Sequence, residues 1–170
     1  MIRQRSAEAI ADSGLTSPPI DLDLIARRAG VAVRRDAPLP AGMRACYDDH
    51  RAEIRIRSGV GHIEERQALA HELGHHFLEH GGRECWGAAF AEGVVDLDDA
   101  SGDVDAEVEA NVFAGQLLLP RDWCRRDLLA GMAEPQIAER YDAPRTTTFI
   151  AIRDYRFRLP RRGRNPSRGR

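Results

Sequence analysis

The chain has no lysine: all 25 basic side chains are arginine. We read this as a codon bias toward GC-rich DNA, suited to a high-GC bacterium, and not as functional design. Cysteine is sparse and odd in number, with Cys46, Cys85 and Cys124 far apart. That pattern offers neither a CxxC metal pair nor a disulfide framework, and it suits a reducing cytoplasm. No stretch approaches the roughly eighteen consecutive apolar residues of a membrane-spanning helix. The N-terminus, MIRQRSAEAIADSG, carries charges where a secretory signal needs an apolar run. The expectation is a cytoplasmic protein with no membrane association.

What is present is enough for a core. Hydrophobic residues make up 42% of 170 positions, which fits one domain with at most a small appendage. The net charge of −2 is unevenly spread. Between Gly81 and Glu109 nine acidic side chains face one base, Arg83, whereas from Ala143 to Arg170 nine arginines face one acid, Asp154.

The pattern predicts a short helix over Ala7–Asp12 and a second one to about Arg28, capped by Asp21 and closed by Gly30. Three β-like pieces follow, Val31–Arg35, Met43–Tyr47 and Glu53–Arg57. The last alternates Ile54 and Ile56 with charges, and Asp48–Arg51 reads as a hairpin connection. Helices are then expected over Ile63–Glu79, Val104–Leu119, Trp123–Leu129, Glu134–Tyr141 and Arg145–Tyr155. Gly81 to Val104 reads as a long loop, functional or mobile, in which Trp86 and Phe90 are candidate lid or substrate contacts. Pro160–Arg170 has the composition of a disordered tail.

The chemistry lies in His71-Glu72-Leu73-Gly74-His75, an HExxH motif. Histidines at i and i+4 share a helix face, so both imidazoles can reach one ion, and zinc accepts two neutral imidazoles in a tetrahedral site. Glu72, about 100° around the helix, is placed to take a proton from a water that the ion polarises. The alternative is a surface helix with solvated histidines. Leu69-Ala70 and Phe77-Leu78 argue against it, because they embed the motif in an apolar helix where paired histidines need a partner.

A third ligand must come from elsewhere. In HExxHxxGxxH a glycine and a third histidine follow, but Leu78 and Gly81 stand at those places. The downstream helix offers Glu107 and Glu109. Ala110, Phe113, Ala114, Leu117 and Leu118 form its apolar stripe. Glu107 falls within about 60° of the stripe's centre and Glu109 more than about 90° away. Glu107 is therefore the predicted ligand and Glu109 a solvated residue. Asn111, one turn after Glu107, is placed to hydrogen-bond a ligating histidine.

Three segments taken in order, PPIDLDLIARRAGV, ERQALAHELGHHFLEH and EVEANVFAGQLLLP, resemble the hallmarks of the ImmA/IrrE family of bacterial and phage metallopeptidases. The likeness runs from about Ala7 to Tyr155. It implies that His71, His75 and a glutamate of the EVEANVFA helix hold the metal, with Glu72 catalytic. It also implies a protein substrate: a helix-turn-helix repressor of the XRE type, whose cleavage relieves repression of stress or mobile-element genes. Longer family members carry a GAF-like sensor domain. The residues after Tyr155 are too few for one, so any signal is expected to enter differently.

Gln136–Thr148 resembles half of a helix-turn-helix, and with the arginine-rich tail it raises direct DNA binding as a rival reading. The competing view, that these helices cap the peptidase core, is favoured by the apolar Phe149, Ile150 and Ile152. A non-catalytic metal-containing interaction protein of a toxin–antitoxin or phage module is a second rival. His76 and His80 are expected off the ligand face, structural or solvent-exposed; Glu79 is expected at the surface in preference to supporting His75, and Cys85 is expected to be a buried or idle thiol in preference to an oxidation sensor. The Glu53–Arg57 strand is the expected edge for an extended substrate.

The fold expected is α+β: a zincin-like metallopeptidase domain over residues 1–130 with a small antiparallel sheet, a helical extension over 131–158 and a tail over 159–170. The cofactor expected is Zn²⁺, with Mn²⁺ or another divalent ion as alternatives.

Overall fold

The computed structural model describes residues 1–81 and 104–157. The expectations for Cys85, Trp86, Phe90 and the C-terminal tail lie outside the described residues. Helices α1 (Ile2–Ser13) and α2 (Leu22–Arg28) lead into strands β1 (Ala32–Ala37), β2 (Ala45–Asp48) and β3 (Glu53–Arg57). Helices α3 (His62–Phe77), α4 (Val104–Leu118), α5 (Arg121–Leu129), α6 (Glu134–Tyr141) and α7 (Arg145–Phe157) complete the α+β architecture.

Local chemistry accounts for several boundaries. Asp21 caps α2, its carboxylate accepting the Leu24 N–H at 2.8 Å. Gly30, at φ 73°, supplies the left-handed turn that ends it. The Gln136 side chain accepts from the Ala133 N–H at 2.8 Å, fixing the start of α6.

The sheet is small and its order is β1-β3-β2. The β2–β3 hairpin is antiparallel, as its connection predicts, with Cys46 opposite Arg55 and Tyr47 opposite Ile54. Strand β1, however, pairs with the other side of β3 in parallel. The sheet is therefore mixed, not the purely antiparallel sheet expected. The reason is that β3 folds back from β2 and inserts between it and β1, so that β1 and β3 run in the same direction. A second correction follows. The Glu53–Arg57 strand is central with both edges paired, so it has no edge to offer a substrate.

Ile54 and Ile56 of β3 are buried, together with Ala45 and Tyr47 of β2, in the same core as Leu69 and Leu73 of α3. The stripe predicted on α4 is present: Ala110, Phe113, Ala114, Leu117 and Leu118 have no solvent exposure. Phe113 stacks on Phe77 with ring centroids 5.5 Å apart. Ile137, Tyr141 and Ile152 from α6 and α7 join this core.

Arg66 of α3 fastens the C-terminal helices to the metal-motif helix. It donates to the Asp142 carbonyl at 2.9 Å and the Ile20 carbonyl at 3.0 Å. Thr147 of α7 donates to Gln67 at 3.3 Å. Among the described residues no helix is long and apolar enough to cross a membrane.

Candidate metal centre

Gly74 sets the distance between the two helices that make the site. A Cβ added there would lie 3.0 Å from both the Cα and the carbonyl oxygen of Ala110. Helix α4 thus crosses α3 backbone to backbone at the middle of the HExxH motif. One turn before Ala110, Glu107 is carried to the histidines.

The structure brings His71, His75 and Glu107 together. His71 Nε2 lies 3.2 Å from Glu107 Oε2, and His75 Nε2 lies 3.4 Å from Oε1. The two Nε2 atoms are 3.0 Å apart. The two carboxylate contacts use different oxygens, and one ligand atom from each of the three residues lies within 4.8 Å of the others, close enough to share one ion. Both imidazoles are buried and the carboxylate is a quarter exposed. Two imidazoles and one carboxylate form a donor set that fits a divalent metal. Glu72, next in sequence to His71, is wholly buried.

Burial works to raise the Glu107 carboxyl, but hydrogen bonds and charge from His71 and His75 outweigh it and hold the group far below the usual carboxylate range. Glu107 is therefore an anion, the form a metal needs.

Outer contacts orient the histidines. His71 Nδ1 lies 3.0 Å from Asn111 Oδ1, a contact that favours the proton on Nδ1 when a metal takes the Nε2 lone pair. Glu109 is half exposed, as the helical wheel predicts, but it is not merely solvated: its Oε2 lies 3.1 Å from His80 Nε2. His80 in turn approaches His75, with the two Nδ1 atoms 3.2 Å apart. His80 is therefore off the ligand face, as expected, but packed against the outer side of His75. Glu79 takes a left-handed conformation, φ 60°, and turns the chain back after α3.

His76 faces away from the triad, and its Nδ1 accepts the Tyr47 hydroxyl at 2.8 Å, tying α3 to β2. Burial pushes the His76 imidazole below its ordinary value, favouring the neutral ring that can accept this bond. Glu79 is exposed as expected, 3.7 Å from Arg5. His50 is exposed in the hairpin turn, and His62 begins α3 with Nε2 2.6 Å from Asp142.

Gly74, His80 and Tyr47 are the site residues that sequence reasoning missed. For Gly74 a signal existed, because glycine inside a helix costs about 1 kcal/mol relative to alanine and so marks a close approach.

An HExxH helix crossed by a carboxylate-bearing helix beside a small sheet defines a zincin-like fold. The family model described as the IrrE N-terminal-like domain, a peptidase family, matches residues 26–149, and the chain belongs to that family. None of the curated proteins matches it. A solved structure described as a Mycobacterium tuberculosis transcriptional regulator is similar over 89% of this chain, with a TM-score of 0.60 and 17% identity. The match spans 46% of that protein's chain, so this chain covers under half of its length. At that identity the likeness shows the fold alone.

Proposed function

We propose that this protein is a zinc-dependent endopeptidase whose substrate is a helix-turn-helix repressor of the XRE type. Cleavage would relieve repression of stress or mobile-element genes. The observation that carries the reading is the convergence of His71, His75 and Glu107 within 4.8 Å of one another, with Glu72 buried on the helix of the two histidines. Zn²⁺ held there supplies Lewis acidity that makes a water acidic near neutral pH and polarises a peptide carbonyl. Glu72 accepts the proton of the attacking water and delivers it to the amine nitrogen as the C–N bond breaks. His71 and His75 would hold the ion through Nε2, with Asn111 accepting from His71 Nδ1 in the tautomer that allows it.

With β3 paired on both sides, the substrate strand is assigned to the outer edge of β2, which Tyr47 fastens to the metal-motif helix. Proline in the substrate at positions that donate to this edge slows cleavage; indifference to proline removes β2 from the account.

The regulatory setting is supported by the family resemblance and by a fold relative described as a transcriptional regulator. A DNA-reading role for α7 is disfavoured. Thr148 is fully buried and Thr147 is bonded to Gln67, so the helix turns part of its opening face into the protein.

The test is incubation of the metal-loaded protein with a purified XRE-type repressor, followed by intact-mass mapping of the products. One new peptide terminus is expected. A stable complex without cleavage favours a metal-containing interaction protein, and salt-dependent DNA binding favours a regulator.

A further inference from the structure

We propose that Glu109 and His80 form an outer relay that sets the tautomer and orientation of His75 for the metal. The inference rests on the reading of His71, His75 and Glu107 as ligands.

Geometry supplies the chain of contacts. Glu109 Oε2 lies 3.1 Å from His80 Nε2, and His80 Nδ1 lies 3.2 Å from His75 Nδ1. The His75 and His80 rings meet edge to face, with centroids 5.3 Å apart and planes at 70°. The His80 side chain is 10% exposed and lies between the buried His75 ring and the half-exposed Glu109 carboxylate. Its backbone reinforces the arrangement, because the His80 N–H donates to the His75 carbonyl at 3.0 Å. The left-handed residue Glu79 makes that closure possible. His80 is thus bound to His75 through both main chain and ring.

Proton bookkeeping gives the relay its direction. A ligand His75 needs a lone pair on Nε2, so its proton sits on Nδ1 and must be donated outward. His80 Nδ1 can accept it only if the His80 proton sits on Nε2, where Glu109 accepts it. In the reverse arrangement His75 would carry its proton on Nε2, facing the metal position. A neutral His80 would then turn a lone pair toward the Glu109 carboxylate. Glu109 therefore selects the tautomers that free His75 Nε2. His71 reaches the same state through Asn111, so α4 supports both histidines while Glu107 completes the triad.

The role is positioning, and the test reads metal affinity. Zn²⁺ dissociation constants are measured by chelator competition for the full-length wild type, His80→Ala, Glu109→Ala, Glu109→Gln and the double variant His80→Ala/Glu109→Ala. Single alanine variants are expected to lose about 10- to 100-fold in affinity. Glu109→Gln is expected to recover part of that loss, because its amide oxygen still accepts from His80 Nε2. In the His80→Ala background the Glu109 substitution should cost nothing further, since the chain is already broken. The visible spectrum of the Co²⁺-loaded protein should shift in both single variants, a change that loss of stability alone does not produce.

Wild-type affinity in both single variants overturns the relay. Equal losses from Glu109→Ala with and without His80 also overturn it, because they report a general charge effect. A wild type that binds no metal overturns the metal-site reading itself, and the relay with it.

Discussion

Gly74 and Ala110 touch backbone to backbone: a Cβ on Gly74 would stand 3.0 Å from the Ala110 Cα. That contact lets α4 approach the HExxH helix closely enough for Glu107 to meet His71 and His75. The atoms facing Gly74 are mostly main chain, so they can yield only if the helix moves.

Gly74→Ala is accordingly expected to push α4 outward, despite the better helix propensity of alanine. The expected result is a stability loss of about 1–3 kcal/mol and a clear weakening of metal binding. Denaturant unfolding and chelator competition measure the two effects. A stabilised variant with unchanged affinity would show that the close contact does not set the site.

Glu107→Gln keeps shape and removes charge. It is expected to abolish tight metal binding, whereas the same change at Glu109 should weaken binding only modestly. Metal content after gel filtration distinguishes them. Retention by Glu107→Gln together with complete loss by Glu109→Gln would reverse the assignment of the third ligand.

Much of this geometry was legible in the sequence, where it depends on periodicity. The angle between Glu107 and the Ala110–Leu118 stripe follows from the helical repeat, as does the buried alternation of Ile54 and Ile56. Asp21 and Gly30 marked the ends of α2 by local hydrogen bonding and backbone conformation. Strand order was not legible, because the pairing of β1 with β3 joins segments whose sequences carry no mutual signal. His80 escaped for a related reason. A straight helical wheel carries it away from the metal face, and its return depends on a left-handed turn at Glu79, a residue type that seldom adopts one.

Tyr47→Phe removes the hydroxyl that His76 accepts at 2.8 Å and leaves a partly buried ring nitrogen unsatisfied. A stability loss of about 1–2 kcal/mol is expected. If β2 guides the substrate, KM should rise more than kcat falls. Unchanged stability and kinetics would remove Tyr47 as the fastening between strand and helix.

Alkaline conditions should loosen the C-terminal helices. Burial pushes the Cys124 thiol from its ordinary 9.0 up to about 12. Between those values the unfolded chain releases a proton that the folded protein keeps. Stability is thus fully present below pH 9.0 and is lost as pH rises toward about 12. The slope approaches about 1.4 kcal/mol per pH unit. Thermal midpoints of wild type and Cys124→Ala across pH 8 to about 10.5 check this. An equal alkaline slope in both would assign the effect to another group.

The most direct measurement compares wild type and Glu72→Gln for zinc content and repressor hydrolysis in the same preparation. The account predicts one zinc per chain in both, with cleavage at a single site by the wild type and a rate lower by several orders of magnitude in the variant. Equal cleavage by both proteins, or a zinc-loaded wild type that leaves the repressor intact, would contradict it.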